Sequence, residues 1–471
     1  MHFNKKLFIC CQIIIFNLIF IIQVNSLKSL FNINQDKNYK KPIAYIKINT
    51  EKELVDSLSF SQLIGKRVSI RSGGHSSCSF SLINDTINLD LSGLKGIRVD
   101  KSSKVAFVKS GVLLDEYYNE ISRYGLGSTG GMCGSVGIGG IALGGGSNFI
   151  SPKFGYLVDN ILEFKILLAN GDIIFSNPFN KYKDLFWALS GSGHGGFGII
   201  LEYKIQLHNI QPFYYTNVLN IPIQFVAQTI ILVDNFINST ENLNRKLSFN
   251  IISSMSTIDT NPAINLSFFF IDGSIEEGEI EFRKLLKLLP WAKLNKNFET
   301  NKTFMEIVEL APKDNNQNIR EITKSRFIKH INITTAYAFQ DFIYFTNSLV
   351  KTVKNNDTVT FSNQFYYHGG NHLLENEKSS FIHRCEESKY SVVFYCQYLK
   401  GDSDKNIQLY KDNLKKYLPI FGDKIYQNYP DDEISNWQSS YYGNNYKKLQ
   451  EIKKKYDPLN YFKNEQSIEL P

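Results

Sequence analysis

Arg71-Ser72-Gly73-Gly74-His75-Ser76 and Gly130-Gly131-Met132-Cys133-Gly134-Ser135-Val136-Gly137-Ile138-Gly139-Gly140 decide how this chain is read. Gly144-Gly145-Gly146 follows the second run, so nine glycines fall between Gly130 and Gly146. That density is too high for a helix and too local for a linker. Glycine lets backbone turn tightly and approach a ligand or another strand closely. Successive N–H groups in such turns bind anionic groups. The first run follows the β-type stretch Arg67-Val68-Ser69-Ile70. Together the two runs read as backbone laid against a large, flat, partly anionic ligand. Two ordinary surface loops would give no reason for a histidine in one and a cysteine in the other.

Working outward, the flanking segments alternate short strands with helices. Tyr45 to Ile48 and Thr86 to Ser92 alternate as strands, and Glu51 to Leu58 has helical spacing. Leu113 to Tyr124 predicts a helix with Leu113, Leu114, Tyr117, Tyr118 and Ile121 on its apolar face. No G-x-G-x-x-G joins the first strand to its helix, which argues against a Rossmann domain. Asp159 to Asp172 predicts a strand and a tight Asn-Gly turn.

These motifs resemble the flavin-linked oxidases of the berberine bridge enzyme type, in the vanillyl-alcohol-oxidase-like superfamily. The resemblance implies an α+β fold. It comprises a two-part FAD-binding domain and a substrate domain of antiparallel sheet covered by helices. It spans roughly Lys41 to Ile468 and is weakest between residues 215 and 360. It implies that His75 bonds covalently to the flavin 8α-methyl carbon and Cys133 to C6, giving bicovalent FAD. Arg71, Ser72, Gly73, Gly74 and Ser76 flank the first attachment. Gly131, Gly134, Ser135, Gly137, Gly139, Gly140 and Gly145 flank the second. Asp159, Gly198, Ile200 and Asn460 are further expected cofactor contacts. Two separated loops also leave room for a dinucleotide, so FAD is expected rather than FMN.

Trp187 to Ile200 resembles another flavin-contacting loop, with Ser190 in place of arginine and Gly196 in place of asparagine. His194, an oddity there, is expected at the surface or in a structural role. Gln364 to Gly370 and Phe381-Ile382-His383-Arg384 resemble two further family motifs. In several relatives the strand after them presents a Glu or Gln over the flavin. Val393 takes that place here and cannot transfer a proton. Tyr426-Gln427-Asn428-Tyr429-Pro430-Asp431 resembles the family's Y-x-N-Y-x-D motif, leaving Tyr426 or Tyr429 as the expected base. The resemblance therefore implies hydride transfer from a CH–OH group to flavin N5, with the proton leaving to a tyrosine. Sugars, oligosaccharides and aromatic or secondary-metabolite alcohols are the substrates considered. Val136, three residues after Cys133, resembles the oxygen-permitting form, so O2 is the expected acceptor and H2O2 the product. The alternatives are a dehydrogenase with another acceptor and a secreted flavoprotein that has lost catalysis.

Composition sets the remaining bounds. A net charge of +7 without a dense basic block argues against nucleic-acid binding. Lys453-Lys454-Lys455 reads as a solvated helix face. No metal site is expected. Lys5-Lys6 followed by an apolar run from Leu7 to Val24 reads as a secretory signal peptide, residues 1–26. A secreted or lysosomal-lumen product without stable membrane insertion is expected. Six sequons fit this: Asn84, Asn238, Asn265, Asn301, Asn332 and Asn356. Cys385 and Cys396 flank a plausible hairpin and would pair in an oxidising compartment. Cys78 is a buried filler or free thiol, or else pairs with Cys133 and excludes the second flavin bond. The expected division is an FAD-binding domain over 38–209, a substrate domain over 210–435 and a returning segment over 436–471.

Overall fold

The computed structural model describes residues 34–35 and 40–471, except 220, 240–242, 258–262, 295–300, 310–318, 329, 354–358, 375, 385–387 and 400–403. The expected signal peptide, Asn356 and Cys385 lie outside the described residues.

Two small sheets build the first half. Ala44–Lys47, Ile87–Asp90 and Val68–Arg71 form a parallel sheet in that order. Helix Glu51–Leu63 crosses between parallel strands, and the Thr50 side chain caps it by accepting from Glu53 N. Five antiparallel strands form the second sheet, in the order Ile97–Asp100, Val105–Lys109, Ile199–Gln206, Ile161–Leu167, Ile173–Ser176. The first glycine run leaves strand Val68–Arg71, and the second follows the short strand Leu126–Gly127, which pairs with His208–Asn209. Helix Leu114–Ser122 buries four of the five apolar residues expected of it; Leu113 precedes the first turn and is only half-buried.

The second half is one eight-stranded sheet. Its order is Asn34–Gln35, Ile319–Ile328, Tyr390–Leu399, Val359–Tyr367, Leu247–Ser256, Ala263–Phe270, Tyr214–Leu219, Lys293–Leu294. All described pairings are antiparallel except that of Asn34–Gln35 with its neighbour. Side chains on a strand alternate between faces. In Val359–Tyr367, Val359, Phe361 and Phe365 face the core that covers the sheet, with helices Val226–Asn238, Ile333–Val350 and Asp404–Phe421. Thr360, Ser362, Gln364 and Tyr366 face a cavity. The α+β fold with a helix-covered antiparallel sheet is therefore present.

Three expectations change. Cys396 does not close a hairpin: it sits inside the continuous strand Tyr390–Leu399, pointing into the helix-covered core. Asn265 lies inside strand Ala263–Phe270 and lines the cavity, so its sequon faces inward; Asn84, Asn238, Asn301 and Asn332 are exposed. Lys453 is not solvated. Its side chain is 0% exposed and donates to Asp457 Oδ2 (2.7 Å), the Phe462 carbonyl (3.0 Å) and the Gly196 carbonyl.

From Ile425 onward the chain packs into the core of the first half, through Ile425, Trp437, Tyr441, Leu449 and Ile468. The last strand of the chain is thus followed by a return to the glycine loops.

Candidate active site

The two glycine runs meet backbone to backbone. A Cβ at Gly73 would lie 2.2 Å from Gly137 N, which no side chain tolerates. At Gly140 a Cβ would meet nothing within 4 Å, because that face opens onto the cavity. Arg71 holds the exit of the first run through a buried ion pair with Asp90 on the next strand (3.2 Å), and its guanidinium packs beneath Gly74. Gly134 packs against Asp115 at the start of helix Leu114–Ser122.

The cavity so bounded measures about 980 Å³. His75 and Cys133 both line it, with Ser72, Gly73, Gly74, Ser76, Gly131, Val136, Gly137, Gly139, Gly140, Gly198, Ile200, Tyr426 and Tyr429. Ser135 stands just behind, its hydroxyl 3.2 Å from Cys133 Sγ. Cys78 and Cys133 are not joined by a disulfide; Cys78 Sγ lies 3.2 Å from the Pro430 carbonyl. Burial and the nearby Asp432 push the Cys78 thiol up to about 12. Gly-lined, open and apolar at one end through Val68, Ile70, Leu91 and Ile199, the cavity is a cradle of the kind a long flat cofactor fills.

The tyrosine motif closes the opposite wall. Tyr426 Oη accepts from Gly146 N (2.6 Å) and Asn428 Nδ2 (2.9 Å), and Gly145 packs against its ring. Both neighbours donate, so the Tyr426 proton is free to face a ligand. Burial raises the Tyr426 phenol above its usual range, against the lowering effect of those two donors. Tyr429 lies edge-on to it at 5.4 Å and is also raised by burial. Asp431 ties this segment to strand Ile319–Ile328 through Lys324 and Arg326 Nη2 (3.2 Å). Burial alone would raise the Asp431 carboxyl; the two cations outweigh it and hold it low.

Val393 faces the cavity, as do Ser391 and Tyr395 on its strand, while Val392 and Phe394 face the core. The strand therefore carries no carboxylate or amide at that point. Asp159 and Asn460 do not line the cavity. Asp159 binds Arg384 Nη1 at 3.0 Å and Asn376 Nδ2 at 3.0 Å, which fastens the loop before strand Tyr390–Leu399. Asn460 sits in a turn at φ 52°, and Asn464 takes the place beside the cavity. His194 is not at the surface: it lines the cavity between Phe80 (4.8 Å) and Tyr441 (5.7 Å).

Sequence reasoning missed a histidine group here. His368 Nε2 lies 2.7 Å from Ser391 Oγ, and His372 Nε2 lies 2.9 Å from Ser147 Oγ. Burial pushes His194 and His208 down to about 4, His368 and His383 to about 3, and His372 well below its usual value. The folded protein therefore keeps all five neutral at pH 5. The unfolded chain protonates them below roughly 6.5. Protons bound by the unfolded state alone lower stability as pH falls. Unfolding at pH 5 should take up on the order of four protons from these residues. Tm measured from pH 7 to 4.5 should fall steadily; a flat profile would contradict the buried, neutral assignment.

The family model "FAD binding domain" matches residues 42–176, and "Berberine and berberine like" matches residues 425–469. The two matches bracket the cavity, one holding both glycine runs and the other the tyrosine motif. Berberine bridge enzyme-like 24 of Arabidopsis thaliana is 26% identical over 92% of this chain and 84% of its own. A solved berberine bridge enzyme variant superposes with TM-score 0.80 at 21% identity, covering 95% of each chain. A xylooligosaccharide oxidase from Myceliophthora thermophila, solved with xylobiose, superposes with TM-score 0.79 at 20% identity over 94% of this chain and 95% of its own. No helix among the described residues is long and apolar enough to cross a membrane. With its glycine cradle, tyrosine wall and helix-covered sheet, the chain is an FAD-dependent oxidoreductase similar to the berberine bridge enzyme-like proteins along most of its length.

Proposed function

We propose that this protein is a secreted oxidase that removes hydride and proton from a CH–OH group and passes the electrons to O2, releasing H2O2. The observation that carries this is that His75, Cys133 and Tyr426 line one cavity. His75 and Cys133 hold FAD covalently, and the open face at Gly140 lets its ring system lie against backbone. Bound FAD supplies the two-electron acceptor. Tyr426 takes the hydroxyl proton of the substrate. The ionised phenolate is the form that accepts it, and Gly146 N and Asn428 Nδ2 donate to its oxygen and stabilise its charge before the proton arrives. Tyr429 forms the adjoining wall. Val136, lining the cavity near Cys133, is compatible with oxygen reaching the reduced site. The similar xylooligosaccharide oxidase is, by its name, an oxidase.

Mass spectrometry of denatured protein should find flavin on both the His75 and the Cys133 peptides. His75→Ala combined with Cys133→Ala should leave only releasable flavin. Absence of any flavin-bearing peptide in the parent protein would overturn the attachment. Substrate-dependent bleaching followed by peroxide release on admitting air separates the oxidase from a dehydrogenase, whose flavin stays reduced. N-terminal sequencing of the natively expressed protein should begin near Leu27.

A further inference from the structure

We propose that Ser135 is a positioning residue for the second flavin attachment: its hydroxyl donates to Cys133 Sγ and stabilises the thiolate that makes the bond. This rests on the covalent reading of the same cavity and adds a residue to it. The turn that carries both side chains is pinned by a helix start. The first turn of a helix leaves backbone N–H groups without a partner inside it. In helix Leu114–Ser122 the turn takes two of them: Leu114 N donates to the Val136 carbonyl (2.9 Å) and Asp115 N to the Gly134 carbonyl (3.0 Å). Val136 N closes the turn on the Cys133 carbonyl (3.3 Å). Cys133 and Ser135 flank Gly134 in this turn, and their side chains meet, Sγ 3.2 Å from Oγ.

A second cysteine nearby shows what the hydroxyl changes. Cys78 lies three residues after His75, yet it opens onto a second pocket of about 430 Å³, beside Lys411 and Leu414. Its Sγ stands 3.2 Å from the Pro430 carbonyl. A carbonyl accepts and cannot donate, so it favours the protonated thiol. A hydroxyl can donate, and it therefore favours the thiolate, which is the nucleophile. One donor to a charged atom shifts such a balance by roughly tenfold or more. The bond forms between Cys133 Sγ and the ring carbon. The thiol proton and the hydrogen of that carbon leave, and the two electrons pass to O2, so one H2O2 accompanies each linkage. Ser135 loses no atom in that sum; its part is to hold Sγ charged and aimed.

The test is a time course of attachment in the parent, Ser135→Ala and Ser135→Thr. Full-length protein is sampled at intervals after induction, and flavin-bearing peptides are quantified by mass spectrometry. Ser135 has an ordinary negative φ, so alanine and threonine both suit its backbone. Ser135→Ala should gain flavin on the Cys133 peptide roughly fivefold more slowly or worse, while its His75 peptide is labelled at the parent's rate. Ser135→Thr keeps the hydroxyl and should restore Cys133 labelling to within about twofold of the parent. The Cys78 peptide should carry no flavin in any of the three. Equal Cys133 labelling in Ser135→Ala and the parent overturns the proposal. So does a loss shared by the His75 and Cys133 peptides, or one that threonine does not repair, since either marks a merely structural role for the turn. A parent that carries flavin on His75 alone sinks the second attachment itself, whatever the variants show.

Discussion

Tyr426→Phe is expected to slow anaerobic flavin reduction by roughly 10²–10⁴-fold, with the flavin still covalently bound. Phenylalanine keeps the ring that Gly145, Phe327 and Phe381 pack against and removes only the hydroxyl. Two donors, Gly146 N and Asn428 Nδ2, then lose their acceptor in a buried wall. Tyr429→Phe serves as the comparison and should change the rate far less, because its hydroxyl lacks that pair of donors. The pH dependence carries a sign as well. Burial raises the Tyr426 phenol, so at neutral pH it holds its proton. The reactive phenolate fraction therefore grows about tenfold per pH unit below that pKa. The parent's reduction rate should climb through the alkaline range, and Tyr426→Phe should flatten the climb. Reduction of both tyrosine variants within about threefold of the parent would remove the proposed base, since positioned bases contribute far more.

Lys453→Met is expected to destabilise the flavin-binding half by about 3–5 kcal/mol, the cost of stranding one partner of a buried ion pair. Methionine fills the space of the aliphatic stem. It leaves Asp457 Oδ2 with the Phe462 N–H alone (2.9 Å) and deprives the Gly196 and Phe462 carbonyls of their donor. Thermal unfolding should show Tm lower by roughly 10 °C. Lys453→Met with Asp457→Leu should recover part of the loss, since replacing both charges by apolar groups is often near neutral. A single variant within 1 °C of the parent would mean that the buried contacts contribute nothing net.

Much of the cofactor side was legible because its signals are local. A histidine directly after a glycine pair, and a cysteine inside a dense glycine run, need no knowledge of distant contacts. The Tyr426 motif was legible for the same reason. The inward face of Val393 was expected from the resemblance of its strand to the one that carries Glu or Gln in relatives. Lys453 was misread because a lysine run gives no sign of which member turns inward. The clue was Asp457 four residues on, at the spacing that joins two helix turns. The polar cavity face of the eight-stranded sheet was invisible for a different reason. Thr360, Ser362 and Gln364 alternate plainly in sequence, but polar alternation normally means solvent. Only the packing of two sheets across a shared space makes that face an interior. Helix Ile333–Val350 escaped notice because aromatics surround it, and a helix apolar on most sides lacks a clear stripe.

The return of the chain end to the glycine loops has a consequence for biosynthesis. Ile468 N donates to the Gly195 carbonyl, and Lys453 reaches the Gly196 carbonyl. These contacts close the loop on one flank of the cradle, and they involve residues synthesised after every described strand of the sheet. Until those residues have been made, the cradle stays open on that flank. Flavin can be locked in place only after that, and the eight-stranded sheet, whose described strands all precede Ile425, is complete in sequence before its cofactor neighbour is finished. A ribosome-stalled chain lacking residues from 425 onward should therefore contain the sheet and no retained flavin.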